Sequence, residues 1–384
     1  MVGPNLDEPR SLNSLNEHKL TRRKVMRAAS SVGLSSAVAA NMTVEDVKAS
    51  DSDQVTVSFD ISGNSKHTVD ADRMEWMARA TEATRQVQNK HSGKEGILRI
   101  GTRGGGSKDN PHVMVTLDRD SEEKEERRGE LAEKKNGVRV ETQKDEDEWE
   151  LHCDPDYWPQ NNDLPGGQRV NMLLGEAGTC SCQMLKTDFN WFGWTTSAHV
   201  AGDCTEDDRK VQHSADGSSY DIGKVDFVDF YRDVAFISDD YHKTSAWNIK
   251  PSDHREGVEI NGTVTEEGFS VVDEKYDGQQ AVFLYGAGNC FTDFELIGWN
   301  EDVSNPDYNC ADPIRDQMVV DKQVFDSEPK KGDSGGLYFV EDPDNPGYWY
   351  AMGSHNGEAA GVYNRPYGAQ GFTLHNIHDR LWKN

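Results

Sequence analysis

From residue 169 onward the chain is divided into short apolar runs, at 170–174, 191–196, 222–228, 234–237, 258–264, 280–285, 317–320, 337–340 and 349–352, separated by turn-forming residues. Such runs are too short to build a core as helices, whereas a strand needs only about four to eight residues. Many of them in succession predict an all-β sandwich or barrel. At the end of the chain, Leu374, Ile377 and Leu381 fall at helical spacing and predict a closing helix over 373–383.

Upstream the texture is mixed. The alternation of residues 55–59 predicts a strand, and Met74, Met77, Ala80 and Ala83 predict a helix over 70–88. Strands at 97–100 and 113–117, a charged helix over 121–135 and a strand at 138–140 complete a small α+β unit. Residues 144–150 are almost wholly charged, and 154–167 are rich in Asp, Asn, Pro and Gly, which predicts a linker. The expected organisation is a signal region at 1–42, an α+β unit at 43–150, a linker at 151–166 and the β-rich domain at 167–384. The α+β unit carries no visible site chemistry. It is expected to be a removable pro-segment that assists folding or blocks a cleft, or else a permanent accessory domain.

Near the start, Thr21-Arg22-Arg23-Lys24-Val25-Met26-Arg27 precedes a small, apolar stretch that ends in Val38-Ala39-Ala40. The pattern matches a twin-arginine export signal, too short to anchor the chain in a bilayer. Export implies an oxidising compartment, which suits six cysteines, Cys153, Cys180, Cys182, Cys204, Cys290 and Cys310. Cys290 with Cys310 would close a short loop, Cys180 or Cys182 with Cys204 would brace the segment between them, and Cys153 is left for the remaining thiol. A zinc site is the competing use of these thiols, but Cys180-Ser181-Cys182 lacks the usual two-residue spacing. The 68 acidic against 41 basic residues give a formal charge of −27, which repels nucleic acid and anionic membranes. Compaction of so acidic a chain is easiest in concentrated salt, where about 1 M screens charges beyond roughly 3 Å. A halophilic protein is therefore expected, with an ordinary acidic secreted protein as the alternative.

Three strings carry chemistry. In Lys331-Gly332-Asp333-Ser334-Gly335-Gly336, glycines around a serine permit a sharp turn that exposes a hydroxyl and aims N–H groups at one point. Thr196-Ser197-Ala198-His199 leads from an apolar run into one of the twelve histidines. Asp233-Val234-Ala235-Phe236-Ile237 puts a carboxylate at the head of an apolar strand, where burial demands a partner such as an imidazole N–H. Hydroxyl, base, orienting carboxylate and oxyanion donors are the parts that acyl transfer needs.

In the order His, Asp, Ser, these strings resemble the motifs of the trypsin-like, chymotrypsin-fold serine peptidase family, over roughly residues 166–384. The resemblance implies a double β-barrel, with Ser334 as nucleophile, His199 as proton shuttle and Asp233 as the residue that fixes the imidazole. The N–H groups of Gly332 and Ser334 would form the oxyanion hole, and Ser354, His355, Asn356 and Gly357 would form the strand that binds an extended substrate. Val200 and Leu337 replace residues usual in animal trypsins, and no Ile-Val-Gly-Gly start is present, so the likeness is closer to bacterial secreted members. Asn356 stands where a serine is common. His355 falls where some members that cleave after glutamate carry a pocket histidine, which implies a preference for acidic residues before the scissile bond.

The expectation is thus a secreted, monomeric serine endopeptidase acting on proteins or peptides, with no cofactor, no metal, no nucleic acid and, once the signal is removed, no membrane. A catalytically silent peptide-binding module on the same fold is the alternative. An esterase is disfavoured, because its Gly-Asp-Ser nucleophile is expected near the start of an α/β chain.

Overall fold

A computed structural model describes residues 53–61, 63–104, 109–118, 121–131, 133–145, 149–151, 167, 169–172, 177–181, 183–186, 191–202, 210–215, 218–239, 248–249, 258–286, 292–304, 310–311, 313–321, 333–359 and 368–373. Its first unit contains β1 (Gln54–Ser58), β2 (Lys66–Asp70), α1 (Ala71–His91), β3 (Ile97–Arg103), β4 (His112–Asp118), α2 (Lys124–Glu130), β5 (Lys134–Lys135), β6 (Val138–Asp145) and β7 (Trp149–Leu151). Next come β8 (Arg169–Met172), β9 (Ala177–Thr179), β10 (Gln183–Lys186), β11 (Trp191–Thr196), α3 (Ala198–Ala201), β12 (Lys210–Ala215), β13 (Ser218–Asp229) and β14 (Val234–Asp239). The remainder is β15 (Asn248–Ile249), β16 (Val258–Thr263), α4 (Glu266–Lys275), β17 (Val282–Tyr285), β18 (Thr292–Val303), β19 (Ile314–Asp321), β20 (Leu337–Glu341), β21 (Trp349–Ala359) and β22 (Gly368–Thr373).

Two β units dominate. A seven-stranded sheet in the order β10-β11-β14-β13-β12-β8-β9 wraps a core that includes Val170, Trp194, Val211, Ile222, Val225 and Ile237. In the second unit β21 pairs with β20, β20 with β17, β17 with β18, β18 with β19, β19 with β22, and β22 returns to β21. That circuit is antiparallel throughout and closes a six-stranded barrel with no free edge of its own. The fold is therefore all-β, consistent with the expected double β-barrel, and is preceded by a small α+β unit.

The α+β unit is built into the second barrel. β3 pairs antiparallel with β18, Gly298 lying opposite Arg103 and Trp299 opposite Thr102. A side chain at Gly298 would collide with Arg103 and the Thr102 carbonyl, so the seam needs a glycine there. The sequence of β18 records the joint: its burial alternates from Thr292 to Ile297 and then becomes nearly continuous, where β3 covers the second face. One apolar core holds Val57, Phe59, Val69, Met74 and Met77 of the first unit together with Phe269, Phe294, Trp299, Met318 and Tyr338 of the second. Polar contacts add to it, since His67 sits between Asp342 at 3.0 Å and Asp344 at 2.8 Å, and Ser65 also bonds Asp342.

The helix expected at 70–88 begins where predicted: the Asp70 side chain caps α1 by accepting from the Arg73 N–H at 3.0 Å, a contact typically worth about 1 kcal/mol. The helix expected over 121–135 is shorter, ending at Glu130, because Asn136 and Gly137 adopt positive φ and turn β5 into β6 as a tight hairpin. The charged stretch before the expected linker is partly strand, as β6 reaches Asp145 and β7, which ends at Leu151, pairs with β21. The signal region, Cys153, Cys182, Cys204, Cys290, Gly332 and the predicted helix beyond Thr373 lie outside the described residues. Cys180 is buried in the core of the seven-stranded sheet, and Cys310 is disulfide-bonded. Among the described residues no helix is long and apolar enough to cross a membrane.

Candidate active site

β11 and β14 pair antiparallel with Thr196 opposite Ala235, so the end of one strand and the start of the other meet at the same rim of the sheet. Three residues past Thr196, on the short helix α3, stands His199; two residues before Ala235 stands Asp233. The carboxylate grips the histidine twice. Asp233 Oδ1 accepts from the His199 main-chain N–H at 2.9 Å, and Oδ2 lies 2.7 Å from His199 Nδ1. Both groups are buried, so the pairing replaces the water that each has lost.

Ser334 arrives from the other barrel, in the turn that enters β20. Gly335 follows it at φ +89°, and a side chain there would strike the Thr179 carbonyl and Thr196, so only glycine permits this approach. The turn is tied down on both flanks: the Thr179 N–H donates to the Ser334 carbonyl at 2.7 Å, and the Gly335 N–H donates to the His355 carbonyl at 2.7 Å. Thr196 Oγ1 donates to the Thr179 carbonyl at 2.8 Å, which links the serine turn to the strand that leads to His199. The Ser334 hydroxyl donates to the Asn356 carbonyl at 3.4 Å, while His199 Nε2 is buried and has no hydrogen-bond partner among the described residues. Histidine and aspartate are therefore brought together directly, and the serine is brought alongside without a bond to the imidazole.

β21 carries the four residues expected to bind substrate. Asn356 and His355 are fully buried, and the His355 carbonyl also accepts from Ser197 Oγ at 2.8 Å. His355 Nδ1 is 2.7 Å from the Tyr338 hydroxyl. Burial and the nearby Asp333 carboxylate hold that phenol well above its ordinary pKa, so it stays protonated. Ser354 Oγ is buried without a hydrogen-bond partner among the described residues. The outer end of β21 is covered by β7, with Leu151 opposite Gly357, Glu150 opposite Glu358 and Trp149 opposite Ala359. That strand was invisible to sequence reasoning because its flanks are charged, and only Trp149 and Leu151 hinted at it.

One further residue at the site escaped the sequence reading: Gln317, fully buried on β19, hydrogen-bonds Asn356. It carries no local signal, since its significance comes from partners distant in sequence. Asp333, expected to shape the serine loop, packs its side chain against Gly286.

No protein-family model matches the chain, and no curated protein matches it. Solved structures are similar to it at low identity. One is a glutamic acid specific serine protease that utilizes a novel histidine triad in substrate binding, 15% identical over 56% of this chain and 96% of that one, with a TM-score of 0.41. Thermobifida fusca Protease A is 14% identical over 58% of this chain and 100% of that one, with a TM-score of 0.40. A Nocardiopsis protease is 16% identical over 58% and 100%, with a TM-score of 0.39.

Proposed function

We propose that the chain is a secreted serine endopeptidase that works as a monomer through an acyl-enzyme. Ser334 Oγ attacks the scissile carbonyl carbon as its proton passes to His199 Nε2, and the C–N bond then breaks as that proton is delivered to the leaving amine. Water repeats the sequence on the acyl group and restores the serine. Asp233 holds Nδ1 protonated and aims Nε2, and the N–H groups of Gly332 and Ser334 receive the oxyanion. The observation that carries this reading is the double grip of Asp233 on His199 beside a serine turn that only glycine permits.

The substrate role of residues 354–357 is supported by β7. It runs antiparallel to β21 toward Asn356, whose carbonyl contacts the Ser334 hydroxyl, which is the direction an acyl-donor peptide must take. It also supports a role for residues 43–150 as a pro-segment that blocks the cleft, consistent with the full burial of Ser334. The shared core of the α+β unit and the second barrel supports a part in folding as well. The His355–Tyr338 pair keeps alive a preference for acidic residues before the scissile bond. A panel of peptides differing only at that residue tests it: faster cleavage after Glu or Asp is expected, and equal rates across the panel remove the idea.

The same reading includes export by the twin-arginine route and a requirement for high salt. Replacing Arg22 and Arg23 by lysine should leave the protein inside the cell, and dialysis to low salt should unfold it. A catalytically silent peptide-binding module on this fold is the second reading, favoured by His199 Nε2, which has no partner among the described residues. Apo catalytic hydrogen bonds commonly tighten only when substrate binds. Hydrolysis of a protein substrate by the wild type, lost in Ser334→Ala, separates the two; binding without hydrolysis by folded wild type would establish the second.

A further inference from the structure

A chain of buried side-chain amides joins the segments that carry the three proposed catalytic groups. Gln317 donates both of its Nε2 hydrogens, one to the Arg315 carbonyl at 2.8 Å and one to the Arg232 carbonyl at 3.2 Å. Carbonyls only accept, so the amide has one allowed orientation and Oε1 faces the opposite way. There it accepts from Asn356 Nδ2 at 2.9 Å, which leaves Asn356 Oδ1 facing Ser197 Oγ at 3.0 Å, whose single proton is shared with the His355 carbonyl at 2.8 Å. Gln317, Asn356 and Ser197 are all fully buried, so no water competes for these bonds.

Each end of the relay is fastened close to a triad residue. The Arg232 carbonyl belongs to the peptide unit that enters Asp233, and Asp233 holds a φ of +55°. A non-glycine residue in that region costs on the order of 1–2 kcal/mol, so its neighbours must hold it there. Gln317 pins the plane of that peptide, and the Asp233 N–H to the Phe230 carbonyl, at 3.3 Å, holds its other face. At the opposite end Ser197 occupies the N-cap position of α3, two residues before His199. Asn356 also faces Ser334 through its own carbonyl.

We infer that Gln317 and Asn356 are positioning residues, forming a directional amide relay that holds the histidine and aspartate segments in register with the serine. The inference rests on the peptidase reading of the site and adds to it a mechanism of assembly. Satisfying buried polar atoms is a sufficient reason for such bonds in any core. A purely structural role would lower stability and leave the chemistry of the folded enzyme unchanged. A positioning role changes the turnover number more than substrate binding, because displacement of about 1 Å at a reacting group costs up to about 10²-fold.

The test uses the full chain with Gln317→Met and Gln317→Glu, measured for kcat and KM on a chromogenic peptide. Proton NMR gives a second readout, the far-downfield resonance of the His199 Nδ1–H bound to Asp233. Gln317→Met is expected to lower kcat about 10- to 100-fold while KM moves less than about threefold, and to shift or broaden the resonance. In Gln317→Glu a protonated carboxyl still donates to one carbonyl and accepts from Asn356, whereas the ionised form cannot donate. Its kcat should therefore approach the wild type at low pH and fall further behind as pH rises. If Gln317→Met does not fold, the pH series of Gln317→Glu decides alone. A Gln317→Glu profile parallel to that of the wild type, with an unshifted resonance, overturns the relay. Should the wild type show no turnover, the peptidase reading fails, yet the resonance still reports on the relay: loss in the variants supports it and persistence refutes it.

Discussion

The Asp233 carboxylate meets His199 at two points, the main-chain N–H at 2.9 Å and ring Nδ1 at 2.7 Å. The first bond fixes where the residue stands and the second fixes which nitrogen keeps a proton. Asp233→Asn preserves the shape but presents an amide that favours the wrong tautomer, so kcat is expected to fall by about 10⁴-fold with the fold intact. Steady-state kinetics and circular dichroism on the same preparation check this. A loss below about tenfold would mean that Asp233 does not orient the base.

β7 occupies the edge of β21 through three register pairs, from Leu151–Gly357 to Trp149–Ala359. Proline removes a backbone donor and cannot be accommodated in a paired strand interior. Glu150→Pro is therefore expected to raise kcat/KM on peptide substrates several-fold, chiefly through a lower KM. An unchanged KM would show that peptides and β7 do not compete for the same strand.

Phe59 of the first unit is fully buried against His67 and against Tyr350 of β21, at ring-centroid distances of 4.9 and 5.3 Å. Its replacement by alanine is expected to cost about 3–5 kcal/mol. Because the core is shared, calorimetry should show one cooperative transition that moves as a whole. Two transitions, only one of them shifted, would show that the α+β unit folds independently.

At the seam, burial raises the Asp302 carboxyl to about 6 from the ordinary 3.8, although Ser92 Oγ donates to it at 2.7 Å. The folded state thus keeps a proton that the unfolded chain has already released, and stability falls as pH rises through this window. Asp302→Asn retains the acceptor for Ser92 without the buried charge. The variant should match the wild type near pH 4 and exceed it by about 1–2 kcal/mol above pH 6, in urea titrations. Equal stability at both pH values would contradict the burial argument.

How much of this was legible in the sequence depends on how local each signal is. The runs at 191–196, 234–237 and 337–340 became β11, β14 and β20 because apolar alternation is a property of neighbours in sequence. The longest missed strand, β18, is interrupted by Asp293, Glu295, Asn300, Glu301 and Asp302, and its second half is buried only because β3 covers it. Glu301 there pairs with Arg103 from the other unit, which no local pattern announces. The helix α4 was missed although Thr265 caps it and Glu266 and Glu267 fill its first turn, a start signal that an apolar run at 258–264 obscured. At the site, His199, Asp233 and Ser334 stood out through their flanking residues. Gln317 did not, since its partners Arg232, Arg315 and Asn356 meet only in the folded chain.

The central claim is that Ser334 is a nucleophile activated by His199. The direct measurement is reaction of the folded protein, in high salt, with a fluorophosphonate, followed by mass spectrometry of the modified peptide. Stoichiometric labelling of Ser334, abolished in His199→Ala, is the predicted result; an unlabelled folded wild type, or a label on another residue, would contradict it.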